Sequence, residues 1–260
     1  MVEPREWRLD DAAAEFYEKH FVPALFADWA SRLVDEAKVS PGQRILDAAC
    51  GTGIVARTAA DRIGAPGAVA GIDLNSSMIQ VARRLRPDIE WHEGDVAKMP
   101  FADGRFDAVL CQAALMFFPD RVAALQEMRR VLRPGGKVAV QVWGASPGYE
   151  LTAGIIEEAS GKEAAEIFRA PFVLRDPREA ESLLAKAGFR KTSRSTRQGA
   201  ARFPSIDAML QAEVDGWVLR GRVDLAEVLP VARVRLMPFC AASGAVSIPI
   251  EGHILTGFKP

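Results

Sequence analysis

Arg44-Ile45-Leu46-Asp47-Ala48-Ala49-Cys50-Gly51-Thr52-Gly53 is the stretch on which the reading of this chain turns. Its first half is an apolar run that ends in an acid. Its second half is a loop of small residues, and Ala-rich sequence with helical spacing follows from Ile54 to Ile63. That order predicts a buried parallel strand, a tight turn and a helix. Gly51 and Gly53 lack a Cβ, so the backbone can bend there and let a ligand lie against it. The helix behind the turn aims free N–H groups and positive dipole density at whatever occupies the bend.

Two ligand classes use such a turn. Gly51-Thr52-Gly53-Ile54-Val55-Ala56 satisfies the G-x-G-x-x-G/A dinucleotide pattern, which alone is weak evidence. A dinucleotide would place a pyrophosphate at the helix N-terminus. Asp47, at the strand end, would point a carboxylate into the same crevice, and two anions in a partly dry site repel. A ligand carrying an ammonium and a sulfonium would be attracted instead. The acid therefore favours S-adenosylmethionine over NAD(P).

Leu46-Asp47-Ala48-Ala49-Cys50-Gly51-Thr52-Gly53 resembles the first motif of the class I S-adenosylmethionine-dependent methyltransferases. That family usually has Gly where this chain has Ala49, a departure that crowds the loop by one methyl. Further on, Leu132-Arg133-Pro134-Gly135-Gly136-Lys137 resembles a turn of the small-molecule, ubiquinone/menaquinone-biosynthesis type. The resemblance is densest from about residue 44 to 143. It implies a Rossmann-like α/β fold: an open, mostly parallel seven-stranded sheet with helices on both faces, a helical cap and an antiparallel last strand.

Composition agrees with one globular domain. The chain has 260 residues, 49% hydrophobic and 26% charged, with a formal net charge of −1, so no global field draws it to nucleic acid or anionic lipid. No apolar run reaches bilayer length and no signal-peptide core opens the sequence. Cys50, Cys111 and Cys240 are far apart and lack metal-ligand spacing. The expectation is a reduced, cytoplasmic setting and no metal.

In chain order, residues 1–40 are predicted to be a helical lid, with helices over Ala12–Phe21 and Pro23–Ala37 split by Pro23. The cofactor core spans 41–143. A second strand ends at Asp73, about twenty residues past the glycine loop, where an acid can take both ribose hydroxyls; Asn75 and Ser76 supply cap residues for the next helix. Gly94-Asp95-Val96 resembles the family's adenine-binding segment, which gives Asp95 the adenine amino group and Val96 a backbone contact to the ring. The same resemblance adds Ala49, Thr52, Leu74 and Met78 to the cofactor set. His92 precedes that segment and is expected to pack. After the fourth strand, Cys111-Gln112-Ala113-Ala114 lacks the Asn/Asp-Pro-Pro-Tyr of enzymes that methylate base amines. Gln112 can donate to the cofactor carboxylate or to an acceptor oxygen, and Met116 and Phe117 are candidates for the site wall, with plain core packing as the alternative.

A helix is predicted up to Val131, ended by Arg133-Pro134-Gly135-Gly136, before a fifth strand from Lys137 to Trp143. Segments 144–172 and 204–243 interrupt the alternation and are predicted to cap the carboxyl ends of the strands, where open α/β sheets bind ligands. A sixth strand over Lys191–Arg197 and a final one within 245–260, with a bend at Pro249, complete the sheet. On the acceptor side, Phe16, Tyr17 and His20 lie on one helix, and Tyr17 and His20, three apart, share a face. Tyr17 is the candidate for contact with the acceptor or the cofactor carboxylate, and His20 the candidate general base. Simple packing of both residues is the competing reading.

The expected activity is methyl transfer from S-adenosylmethionine to a small organic acceptor, at carbon or oxygen. An NAD(P)-dependent oxidoreductase and a non-catalytic cofactor-binding protein stay open as alternatives. The expected partner is the acceptor itself; a homodimer is a further option.

Overall fold

The computed structural model describes residues 9–65, 67–216 and 219–260. The first eight residues of the expected lid and Trp217, the expected end of a helix, lie outside them.

The chain enters through α1 (Asp11–Phe21), capped by the Asp10 carboxylate, which accepts from the Ala13 N–H at 2.8 Å. Pro23 does not split the N-terminal helices, contrary to expectation. Its missing N–H is absorbed by a π-helical turn, Val22–Phe26, in which the Ala27 N–H reaches back to the Val22 carbonyl. The helix then continues as α2 (Ala27–Ala37). Widening the turn removes the clash that a proline ring would cause inside a regular helix.

The alternating part follows the sequence closely: β1 (Arg44–Ala48), α3 (Ile54–Ile63), β2 (Ala68–Asp73), α4 (Ser76–Leu85), β3 (Glu90–Glu93), β4 (Phe106–Gln112), α5 (Arg121–Val131) and β5 (Leu132–Trp143). The Arg133-Pro134-Gly135-Gly136 turn proves to be part of β5. Leu132 pairs with Phe106 across a register shift. The Gly135 N–H donates to the Lys259 carbonyl and the Lys259 N–H to the Gly136 carbonyl, both at 2.9 Å. The chain's end thus clasps the strand's beginning.

After β5 come α6 (Pro147–Ser160), α7 (Lys162–Arg169), a 3₁₀ turn at Ala170–Phe172, and α8 (Pro177–Lys186). Then follow β6 (Arg190–Phe203), α9 (Ile206–Asp215), α10 (Leu225–Arg235) and β7 (Val246–Phe258). The seven-stranded sheet has the order β3-β2-β1-β4-β5-β7-β6. Strands β1 to β5 are mutually parallel and β7 runs antiparallel to both its neighbours, as the resemblance implies.

Both faces of the sheet are covered, which is why the central strands read as unbroken apolar runs. Ile45, Ala108 and Leu110 face α2 and α3. Leu46, Val109 and Cys111 face the layer holding Leu125 and Met128 of α5 and Leu184 of α8. Strand β6 is longer than expected. Its pairing with β7 runs from Arg190↔Phe258 to Phe203↔Val246, whereas β5 stops at Trp143↔Gly252. The last six residues of β6 and their partners therefore overhang the sheet as a two-stranded ribbon, whose inner face (Ala201, Phe203, Val246, Ile248, Ile250) joins the core with α6 and α9. Pro249 sits in that overhang, beyond β5, where no ladder bond to β5 is lost. Its carbonyl accepts from Ser146 Oγ at 2.8 Å.

Candidate active site

A cavity of about 310 Å³ opens at the carboxyl ends of β1, β2 and β4. Tyr17, Asp47, Ala49, Gly51, Thr52, Asp73, Leu74, Met78, Asp95, Val96 and Gln112 all line it. Gly53, Phe16, His20 and Met116 do not.

The loop between β1 and α3 is held in left-handed backbone at three points: Ala49 (φ 57°), Gly51 (54°) and Gly53 (86°). At Ala49 this costs on the order of 1–2 kcal/mol, because its Cβ crowds a carbonyl oxygen. Ala113, after β4, has φ 49° and also lines the cavity. Strained residues thus cluster at the site, where such geometry is expected if function demands it. A Cβ on Gly51 would meet no atom within 4 Å, so the loop offers bare backbone to the cavity. Gly53 has a packing reason: a Cβ there would lie 2.3 Å from the Trp91 ring.

Two acids organise the floor. Asp47 is 1% exposed, and its Oδ2 accepts from the Ala56 N–H of α3 at 2.8 Å. Burial pushes its carboxyl up to about 7, against the Ala56 hydrogen bond, with the nearby Asp73 charge adding to the rise. Asp73 accepts from the Gly51 N–H at 2.8 Å and the Asn75 N–H at 2.9 Å, tying the tip of β2 to the glycine loop. Burial raises it as well. Thr52 Oγ1, fully buried, has no partner among the described residues. Asn75 caps α4 through the Ser77 and Met78 N–H groups.

Tyr17 and the aromatics of the π turn roof this floor. Tyr17 lies 5.6 Å from Phe21 and 5.2 Å from Phe26, ring to ring, and burial raises its phenol strongly, with Asp73 the next cause. Helix α1 is anchored on α4 by Leu9, Ala13 and Ala14 against Met78 and Val81, and by Ser77 Oγ to Asp11 at 2.5 Å. Arg57 of α3 pairs with Glu18 at 2.8 Å. Gln112 Nε2 donates to the Phe26 carbonyl at 2.9 Å, so one of its two N–H groups holds the π turn to β4. The helix turns Phe16 and His20 elsewhere. Their rings pack at 4.2 Å, and Phe16 fills the space beside Gly216. Met116 is core, with its carbonyl accepting from Arg121. Asp95, at the exposed rim, accepts from the Ala97 N–H at 2.8 Å. His92 pairs with Glu90 at 2.6 Å and packs edge-on to Phe101.

Of the far half of the cavity, the capping segments and Phe117 were foreseen, and the other side chains were not. Phe117, Phe118, Trp143, Tyr149, Phe168, Pro171, Phe172, Glu213 and Ile250 complete it. Most come from the 144–172 and 204–243 segments, which the structure folds over the strand ends. Tyr149 stacks on Phe168 at 5.7 Å and lies tilted against Phe172 at 5.4 Å. Its hydroxyl donates to Glu213 Oε1 at 2.7 Å. Glu213 is 6% exposed, and burial raises its carboxyl to about 7 despite the Tyr149 hydrogen bond.

S-adenosylmethionine suits the floor. A buried and a half-buried carboxylate, both with raised proton affinity, call for a cationic ligand, the bare Gly51 backbone admits close approach, and the orphan Thr52 hydroxyl awaits a partner. The fold and this loop resemble those of the class I S-adenosylmethionine-dependent methyltransferases. More particularly, residues 46–140 match the family described as the methyltransferase domain. The chain is 37% identical over 141 residues to a demethylmenaquinone methyltransferase of Beutenbergia cavernae, covering 54% of this chain and 58% of that one. To the protein of the same description from Renibacterium salmoninarum it is 42% identical over 112 residues, 43% and 46% of the two chains. It thus spans about half the length of the curated relatives it matches. Among solved structures, Haemonchus contortus phosphoethanolamine N-methyltransferase 2, in complex with S-adenosyl-L-methionine, superposes with a TM-score of 0.65 at 18% identity, covering 100% of this chain and 60% of that one. That likeness concerns the fold. With the family match, the NAD(P) alternative is set aside.

Proposed function

We propose that this protein transfers the methyl group of S-adenosylmethionine to a small aromatic acceptor of the quinol type, at ring carbon or oxygen. The observation that carries this reading is the division of one cavity into an acidic floor and an aromatic roof. The floor suits a cationic cofactor. The roof, with Phe117, Trp143, Tyr149, Phe168 and Phe172, offers flat apolar surfaces on which a planar ring can stack. The names of the relatives, of which the chain spans about half, point the same way.

The cofactor, once bound, supplies a methyl already activated on a sulfonium. The protein's part is then to align, exclude water and stabilise charge. Asp73 would take the ribose hydroxyls and Asp95 the adenine edge, while Asp47 would offset the cofactor's positive charge. Tyr17 and Phe26 close the floor against water. Positioning of this kind is worth up to roughly 7–11 kcal/mol in the best intramolecular models.

The test is turnover. The protein is incubated with S-adenosylmethionine and a reduced 1,4-naphthoquinone carrying a short prenyl chain. Mass spectrometry should find the acceptor heavier by one methylene, with S-adenosylhomocysteine released in equal amount; the methyl resonance then separates carbon from oxygen attack. No transfer by protein that binds S-adenosylhomocysteine would reject the quinol acceptor.

A further inference from the structure

Tyr149 and Glu213 come from the two separate insertions, α6 and α9, yet meet inside the cavity through a 2.7 Å hydrogen bond. Each is almost fully buried: 6% of either residue is exposed. Burying a carboxyl and a phenol against aromatic neighbours is unfavourable unless each is hydrogen-bonded. Here each satisfies the other. Because Tyr149 donates its proton to Glu213, its oxygen keeps lone pairs with which to accept. Around it, Phe168 and Phe172 leave flat apolar surface. An apolar slot with one placed polar group is how sites fix the orientation of a small ligand.

We infer that Tyr149 and Glu213 form the acceptor-recognition dyad, with the Tyr149 oxygen accepting from a hydroxyl on a planar aromatic acceptor and Glu213 receiving the proton. This rests on the methyl-transfer reading above and deepens it. In the step, the acceptor O–H bond breaks and its proton passes to Tyr149 as the Tyr149 proton passes to the Glu213 carboxylate. The freed electron pair, on the oxygen or delocalised to a conjugated ring carbon, forms the new bond to the methyl carbon. The pair of the breaking C–S bond stays on sulfur. Glu213 afterwards releases the proton to water, so no oxidant or further reactant is needed. A carboxyl held near 7 can take and release a proton under ordinary conditions. Tyr149 touches the acceptor; Glu213 acts through it as a positioning residue.

The experiment compares 1-naphthol with naphthalene, identical in shape but for the hydroxyl, titrated into protein saturated with S-adenosylhomocysteine. Wild type should bind 1-naphthol at least about tenfold more tightly than naphthalene, as expected for a hydroxyl with a fixed partner. Tyr149→Phe should abolish that preference while naphthalene binding stays within about twofold. Glu213→Gln preserves an acceptor for the Tyr149 proton but cannot be protonated. It should keep most of the preference, yet lower kcat for 1-naphthol methylation by about 10²-fold or more with KM little changed. Wild type without a preference, equal losses for both probes, or unchanged kcat in Glu213→Gln would each overturn the dyad. S-adenosylhomocysteine affinity is measured beforehand: its absence in wild type would sink the methyl-transfer reading itself, whereas its presence with an unchanged probe preference would sink the dyad alone.

Discussion

The two halves of the cavity are built by opposite means. The floor is backbone: three alternate left-handed positions in the loop after β1, clamped by Asp47 and Asp73 onto the N–H groups of Ala56, Gly51 and Asn75. Its elements are short, regular and contiguous in sequence. The roof is side chain, made of aromatic rings and one acid–phenol pair whose members stand 64 residues apart in the chain. A backbone site tolerates few residue types at each position and leaves a readable motif. A side-chain site of apolar rings can be assembled from many sequences.

The sharpest way to break this contrast is at the glycines. Gly53→Val would drive its Cβ into Trp91 and force a branched residue to φ 86°; the protein should not fold, as loss of the thermal transition would show. Gly51→Val carries the same backbone strain without a clash, since its Cβ meets open space. It should fold with a lowered Tm and lose S-adenosylhomocysteine binding in calorimetry. A Gly51→Val protein that binds normally would mean the loop is not the ligand's bed.

Next in size is Asp73→Ala. It releases two backbone N–H groups and removes the acid proposed to take the ribose diol, interactions worth about 1.5–3 kcal/mol each when charged. Affinity for S-adenosylhomocysteine should fall at least tenfold. If a folded variant binds as wild type does, Asp73 serves only the loop.

Asp47→Asn separates fold from ligand. Asp47 has its proton affinity raised in the folded state, to about 7 from an ordinary value near 3.9. The stability it contributes is therefore fully present below about pH 4 and is lost as pH rises through about 7. The asparagine has no such loss and can still accept from Ala56. Urea unfolding at pH 5 and pH 8 should show the variant gaining on wild type at the higher pH, while its S-adenosylmethionine affinity falls. A variant that loses stability relative to wild type at pH 8 would contradict the burial argument.

How much of this was legible in the sequence follows the same division. The order of β1, α3, β2 and α4 and the ends of α3 could be read, because strand–turn–helix grammar and the glycine loop are local, and the family resemblance helped to bring the legible cavity residues to eleven. Ala49 announced its strain by standing where the resembled family has glycine. Pro23 misled because a π turn is a rare answer to a proline. The overhang at 198–203 was missed because Gln198-Gly199-Ala200-Ala201-Arg202 has little strand propensity; β7 imposes its conformation. Tyr149 and Glu213 gave one faint signal, an acid within the otherwise apolar face of α9. Nothing local could say that it would meet a tyrosine from α6.

The smallest expected effect concerns the helix that bridges the two halves. Along α1, Tyr17 enters the cavity, but His20 and Phe16 pair on another side, with Phe16 against Gly216 at the end of α9. Residues three apart on a helix share a broad face, yet their directions still differ by about 60°, from the 3.6-residue turn. That difference separates a wall residue from a packing residue here. A general base must come within hydrogen-bond reach of the proton it takes, directly or through one water, and His20 does not line the cavity. His20→Ala should therefore lower Tm by a few degrees, through the lost ring contact, while kcat per folded molecule stays within about twofold. Loss by a general base would instead cost about 10²–10⁴ in kcat. A drop of that size with cofactor affinity intact would mean that α1 rotates on acceptor binding and brings His20 to the chemistry.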